Sequence, residues 1–239
     1  MRVTYIYHSC FCVELDEMTL LFDYFKGELP KINAKKQVYV FVSHKHYDHF
    51  DKKIFELALN YPKIKFVLSH DIRMNEKYME RVNVPVEARD KILYVKSNEV
   101  YELEENFKLE TLKSTDAGVA FLVKTEEAII YHAGDLHWWT WEGETKEEYE
   151  AMTKAYCTEI AKLKDISIDV AFLPLDPRQE ERFYLGFDYF MRHTNTKRAY
   201  PMHFWEQPEC MDQLIDMEVS IPYQLKIKKL EKEGAYDEF

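Results

Sequence analysis

The chain of 239 residues carries 32 basic and 43 acidic side chains for a formal charge of -11, a field that repels a long phosphate backbone, so no nucleic-acid partner is expected. Hydrophobic residues reach 46% of the sequence, ample for a buried core, and no apolar run approaches the roughly 18 residues a bilayer crossing needs, so no membrane partner is expected. Cys10, Cys12, Cys157 and Cys210 are too few and too scattered for a disulfide framework.

The opening "MRVTYIYHSCFCVEL" alternates like a strand and lacks an apolar signal core, which predicts a cytoplasmic chain. "RVTYIY", "FCVEL" and "TLLFDY" read as an antiparallel meander, the third run closing on Asp23. Cys10 and Cys12, two apart in a strand, share one face and read as buried thiols, with a zinc or redox pair as the other reading. "VYVFVS" is unbroken in its apolar character, as in a strand covered on both faces. "DKKIFELALN" predicts a short helix with Asp51 as its N-cap and Ile54, Leu57 and Ala58 at helical spacing.

Strands follow at "IKFVLS", "KILYV", "FKLETL", "VAFLVK" and "AIIYHA", the last breaking at Gly134. The longest helix is predicted over 145–164, where Tyr149, Met152, Tyr156, Ile160 and Leu163 form a core stripe. "DVAFLPL" reads as a strand, "YLGFDYFMRHT" as a helix, "RAYPMHFW" as a short strand into a loop, and "PECMDQLIDM" as a helix with Pro208 near its first turn. Acidic stretches such as "ELEEN" read as solvated faces. No linker rich in Gly, Pro or Ser divides the chain, so a single domain over 1–239 is expected, with sheets inside and helices outside.

"HKHYDH" gathers His44, His46, Asp48 and His49 directly behind the apolar strand. Imidazoles and carboxylates suit zinc first, and also manganese or iron. Residues two apart on an extended strand end point the same way, so His44 and His46 can share one ion while Asp48 and His49 face a second point. A solvated loop in which Asp48 caps a helix is the plainer reading, and the density of ligand types behind a buried strand disfavours it.

The pattern HxHxDH after an apolar strand resembles the signature of the metallo-β-lactamase superfamily, and the resemblance covers most of the chain. It implies an α/β fold, an αββα four-layer sandwich with one or two metals at the sheet edges. "YHSCFCVELDEMTLLFDY" resembles the family's N-terminal strands, with Asp23 where an aspartate supports the histidine loop. "IIYHAGD" is similar to the strand that delivers a bridging aspartate, here Asp135, and "AYPMHFW" to the final histidine motif, here His203. The resemblance implies Asp48, His49 and His203 on one metal, His44 and His46 on the other, and Asp135 between them. "YHS" is similar to the ascorbate phosphate lactonase branch rather than to the antibiotic-hydrolysing enzymes.

One family ligand is replaced. The superfamily usually supplies a further histidine between "FKLETL" and "VAFLVK", and this chain has "KSTDAGVAF", with Ser114 at that place. Ser114, Asp116, His137 or a water are the candidates to complete the first site. The implied activity is that of a hydrolase whose metal-bound hydroxide cleaves an ester, lactone or phosphodiester bond of a small-molecule substrate, with Asp48, Asp135 and His8 as the catalytic candidates. A non-catalytic metal-binding sensor and an iron-dependent oxidoreductase on the same fold stay open, as does homo-oligomerisation.

Five further positions carry two readings each. His8 is either a group supporting the site or a strand-end histidine capping a turn, and His132 is either a core histidine or an orienter of a metal ligand. Trp138, beside Trp139 and Trp141, forms a pocket wall or packs the following helix. Asp176 and Arg178 line a substrate site, where Arg178 grips a phosphate or carboxylate, or form an ion pair with each other.

Overall fold

In the computed structural model, which describes residues 1–239, β1 (Arg2–Tyr7), β2 (Cys10–Glu14) and β3 (Met18–Phe22) form the expected antiparallel meander. The next three strands, β4 (Gln37–Val42), β5 (Ile64–Ser69) and β6 (Ile92–Val95), extend the sheet in parallel from β3. Parallel pairing needs a crossover between strands. The β4-to-β5 crossover contains a 3₁₀ segment, Lys52–Leu59, and the β5-to-β6 crossover contains α1 (Glu76–Arg81) and α2 (Val86–Arg89). Asp51 caps the 3₁₀ segment by accepting from the Lys53 N–H at 2.8 Å.

Alternation assigns the two faces of this sheet. Cys10, Cys12, Leu21, Val38, Val40 and Val42 share one core cluster with Ile54, Phe55 and Ala58 of the 3₁₀ segment. Both cysteines are free, buried thiols, and burial pushes both thiols up. On the opposite face Phe22 stacks on Phe41 at 5.0 Å. Both faces of β4 are therefore covered, which is why its sequence is apolar without interruption.

The second sheet holds β7 (Val100–Glu104), β8 (Phe107–Lys113), β9 (Val119–Lys124), β10 (Ile129–His132), β11 (Ser167–Pro174) and β12 (Asn195–Met202). Its spatial order is β12-β11-β10-β9-β8-β7, antiparallel from β7 to β10 and parallel from β10 to β12. The parallel steps are bridged by α3 (Lys146–Ala161) and α4 (Leu185–His193), with α5 (Glu209–Asp216) following β12. Thr145 and Glu148 form a capping box at the start of α3. Tyr156 and Ile160 are the buried members of its stripe, while Tyr149 and Met152 are half-buried and Leu163 lies past the helix end. "ELEEN" is solvated as expected, but Glu102 and Glu104 belong to the edge strand β7.

The last strand, β13 (Tyr236–Glu238), pairs antiparallel with β1. Two compact units result, residues 1–96 with 230–239, and residues 97–229. No helix is long and apolar enough to cross a membrane.

Helix α4 contains a glycine for a packing reason. A Cβ on Gly186 would fall 2.4 Å from Cε1 and 2.6 Å from Nδ1 of His137, whose buried ring is fixed by a 2.8 Å hydrogen bond from Nε2 to Gln179 Oε1. Alanine gains about 1 kcal/mol of helix propensity over glycine, but overpacking a fixed core group costs about 1–3 kcal/mol. Gly186→Ala is therefore expected to lower stability by about 1 kcal/mol in urea unfolding; an unchanged or higher midpoint would show that His137 can move aside.

Candidate metal centre

In the first unit the site is built at the C-terminal ends of β3 and β4. Asp23 leaves β3 with φ 46°, fully buried, and its Oδ1 accepts from the Ser43 N–H at 2.7 Å. Its Oδ2 accepts from Ser43 Oγ and from His49 Nδ1, both at 2.7 Å. With the Ser43 hydroxyl donating to Asp23, Oγ is left to accept from His44 Nδ1 at 2.9 Å. One buried carboxylate thus fixes the tautomer of two motif histidines, each with the proton on Nδ1, which makes Nε2 the nitrogen able to bind a metal.

The motif turns tightly, because the His49 and Phe50 N–H groups both donate to His46 O at 3.1 and 2.9 Å. His44 and His49 bring their rings to 4.2 Å and offer ligand atoms within 4.8 Å of each other. His8, at φ 53°, leaves β1 with its backbone N–H on the Tyr5 hydroxyl and its Nε2 3.6 Å from Asp48 Oδ2. His8, Asp48 and His49 all have ligand atoms within 4.8 Å of one another. Partial burial opposes ionisation of Asp48, but the imidazoles of His8 and His49 outweigh it and hold its carboxyl at about 2. Asp48 is thus an anion at neutral pH, the form in which a carboxylate can bind a metal. His46 is exposed, its ring edge-on to His44 at 4.5 Å.

The second unit repeats the device. Asp176 closes β11 as Asp23 closes β3, and its Oδ2 accepts from His203 Nδ1 at 2.9 Å. His203 leaves β12 with φ 65° and directs Nε2 to 3.5 Å from Asp135 Oδ1. Burial disfavours the Asp176 carboxylate, but His203 and Arg178 more than compensate and hold its carboxyl well below the usual range. Arg178 Nε donates to both Asp176 oxygens at 2.9 and 3.0 Å, Trp205 Nε1 approaches at 3.3 Å, and the guanidinium lies 4.5 Å over the Trp205 ring. Of the two readings of Asp176 and Arg178, the ion pair is present, and the fully buried Asp176 carboxylate also braces His203.

Asp135 is delivered by a turn after β10. Gly134 adopts φ 50° and donates its N–H to Nδ1 of the buried His132 at 3.1 Å, so this core histidine shapes the loop that carries Asp135. Trp139 Nε1 donates to Asp135 O at 3.0 Å, and its ring lies 5.6 Å from His203. Trp138 faces the helices, against Tyr149, Tyr156 and Tyr189.

The "KSTDAG" turn is stapled to the same loop, because Thr115 Oγ1 donates to His137 O at 2.5 Å and accepts from its N–H at 3.0 Å. Asp116 has a carboxylate atom within 4.8 Å of one on Asp135. Ser114, at the position of the replaced histidine, is buried and accepts from the Asp116 N–H at 3.2 Å. The ring of His137 is turned to Gln179 and Gly186, and burial, outweighing the Gln179 hydrogen bond, pulls its pKa down to about 4. The bracing roles of Asp176, Thr115 and Gln179 are absent from the sequence reading; the available signal was the aspartate ending each of the apolar runs "TLLFD" and "VAFLPLD".

The donor set fits a divalent ion: buried imidazoles with Nδ1 committed to oxygen partners, beside carboxylates kept ionised. Two mixed sheets flanked by helices, carrying such histidines at strand ends, define an α/β protein of the metallo-hydrolase type. Residues 2–151 match the family model described as a beta-lactamase superfamily domain, and the chain belongs to the metallo-β-lactamase superfamily. It is similar to the structure of Igni18, a novel metallo hydrolase from the archaeon Ignicoccus hospitalis, with 17% identity, a TM-score of 0.65 and coverage of 100% of this chain and 98% of that one. A second similar structure is CmlA, a diiron beta-hydroxylase from Streptomyces venezuelae, with 11% identity, a TM-score of 0.65 and coverage of 100% of this chain but 54% of CmlA. A third is an isothiocyanate hydrolase from Delia radicum gut bacteria, with 14% identity, a TM-score of 0.58 and coverage of 100% and 99%. At these identities the likeness is one of fold. A search of curated proteins returned no match.

Proposed function

We propose that this protein is a metal-dependent hydrolase that cleaves an ester, lactone or phosphodiester bond of a small molecule. His44, His46, Asp48, His49, Asp135 and His203 would hold one or two divalent ions, zinc first, and Asp116 would stand in for the replaced histidine. The observation that supports this best is the bracing of His49 and His203 by buried aspartates at 2.7 and 2.9 Å, the arrangement that makes imidazole a stronger ligand. A bound divalent ion lowers the pKa of water from about 15.7 to about 7 and polarises a substrate oxygen. Asp48 and Asp135 would supply negative charge to hold such an ion, and His8, whose Nε2 lies 3.6 Å from Asp48, would take or return a proton.

Asp116 favours a second reading. A carboxylate in place of imidazole hardens the donor set toward manganese or iron, and the similar CmlA is named a diiron hydroxylase. Elemental analysis of the purified protein, with turnover of p-nitrophenyl acetate, a γ-lactone and bis-(p-nitrophenyl) phosphate, separates the readings. Two metal equivalents with hydrolysis are expected. Iron with oxygen consumption and no hydrolysis would establish the oxidoreductase, and a metal-replete protein inert in both assays would establish the sensor. Asp116→Ala is expected to lower the metal content toward one equivalent while leaving the melting temperature of the metal-free protein unchanged.

A further inference from the structure

The first unit carries a cleft of about 510 Å³ beside the histidine motif, within the size range of small-molecule sites. Lys45, between His44 and His46, lines it together with Lys52 and Arg73. None of these three cations takes part in a side-chain hydrogen bond or an ion pair. The two acids of the cleft are committed to backbone, Asp71 accepting from the Lys45 N–H at 3.1 Å and Asp51 from the Lys53 N–H at 2.8 Å. Three cations against two acids leave a net positive cleft on a chain of charge -11. A concave, locally positive surface concentrates anions from solution even where the net field of the molecule repels them. Phe50, Ile72, Met74 and Tyr78 supply the apolar part of the lining.

We infer that this cleft binds the non-reacting part of the substrate, and that this part is an organic anion: an apolar or ring-shaped body ending in a phosphate or carboxylate. Arg73 grips the anionic end, because a guanidinium fork matches both oxyanions. Lys45 and Lys52 add charge, and Phe50 and Tyr78 meet the apolar body. The position of Lys45 inside the ligand motif sets the anion next to His44 and His46, so the cleft orients a bond toward the metal ligands of its own unit. This inference rests on the hydrolase reading for the existence of a scissile bond, while the binding itself is measurable apart from it.

The test is isothermal titration of the metal-replete protein with phenyl phosphate, benzoate and the neutral benzyl alcohol. At least one anion is expected to bind about tenfold more tightly than the alcohol, the scale of one charge-assisted contact, and the tighter of the two anions names the headgroup. Arg73→Glu is expected to remove this preference with the metal content retained, and Lys52→Glu, on an exposed side chain, to weaken it in a protein whose fold is not at stake. Anion affinity equal to wild type in both variants, or equal affinity for the alcohol, would overturn the inference. Anion binding abolished by Arg73→Glu in a protein that hydrolyses nothing would keep the cleft and overturn the hydrolase; hydrolysis with anion binding indifferent to Arg73→Glu would do the reverse.

Discussion

Asp23→Asn is expected to yield a folded protein whose affinity for metal has fallen by about 10–100-fold, the usual scale for losing a carboxylate that orients a ligating histidine. The asparagine Oδ1 can still accept from the Ser43 N–H, now 2.7 Å from Asp23. The amide nitrogen that replaces Oδ2 only donates, so His49 Nδ1 must become an acceptor. Its proton moves to Nε2, where it occupies the lone pair the metal needs. The Ser43 hydroxyl also loses its acceptor at 2.7 Å, and His44 loses the fixed tautomer that depends on it. Asp23→Ala goes further and strands three buried donors, at about 1–3 kcal/mol each when unsatisfied, so it is expected to unfold in markedly less urea. Metal-buffer titration together with urea unfolding measures both. Wild-type metal affinity in folded Asp23→Asn would show that the aspartate does not set the tautomer.

His203→Ala is expected to lose hydrolysis to background and to lower the metal content. The substitution removes the proposed ligand nitrogen, 3.5 Å from Asp135, and leaves the buried Asp176 to Arg178 and Trp205 alone. Alanine at φ 65° also carries about 1–2 kcal/mol of backbone strain. His203→Asn, whose side chain tolerates that region, separates strain from ligand loss. Both variants should be inactive, and the asparagine variant should melt higher. Full turnover by metal-replete His203→Ala would remove His203 from the site.

Much of this was legible in the sequence because the signals were local. Every strand bounded by turns and rich in Val, Ile, Phe or Tyr is present, and the histidine motif announced itself by density. What escaped depends on pairing across the chain. β7 reads as charged because it is an edge strand, with Val100, Glu102 and Glu104 exposed, so hydrophobic alternation is weak there. Asp176 and His203 are 27 residues apart and meet only because β11 and β12 are parallel neighbours. Trp138 and Trp139 are adjacent, and no periodicity distinguishes the one facing α3 and α4 from the one facing His203. Which residue of "KSTDAG" turns toward Asp135 is likewise set by the Thr115 staple, a contact 22 residues away in sequence.

His8, Asp23 and His203 share a property beyond their chemistry: all three hold a left-handed backbone at φ 53°, 46° and 65°. Such conformations cost about 1 kcal/mol or more outside glycine and persist only where their surroundings force them. Screens for heat tolerance alone would accordingly drift toward glycine or asparagine at His8 and His203, trading the chemistry for relief of strain, whereas Asp23 is held in place by the three buried donors it satisfies. Thermostabilisation of this scaffold therefore needs an activity selection running beside it, or His8 and His203 held fixed.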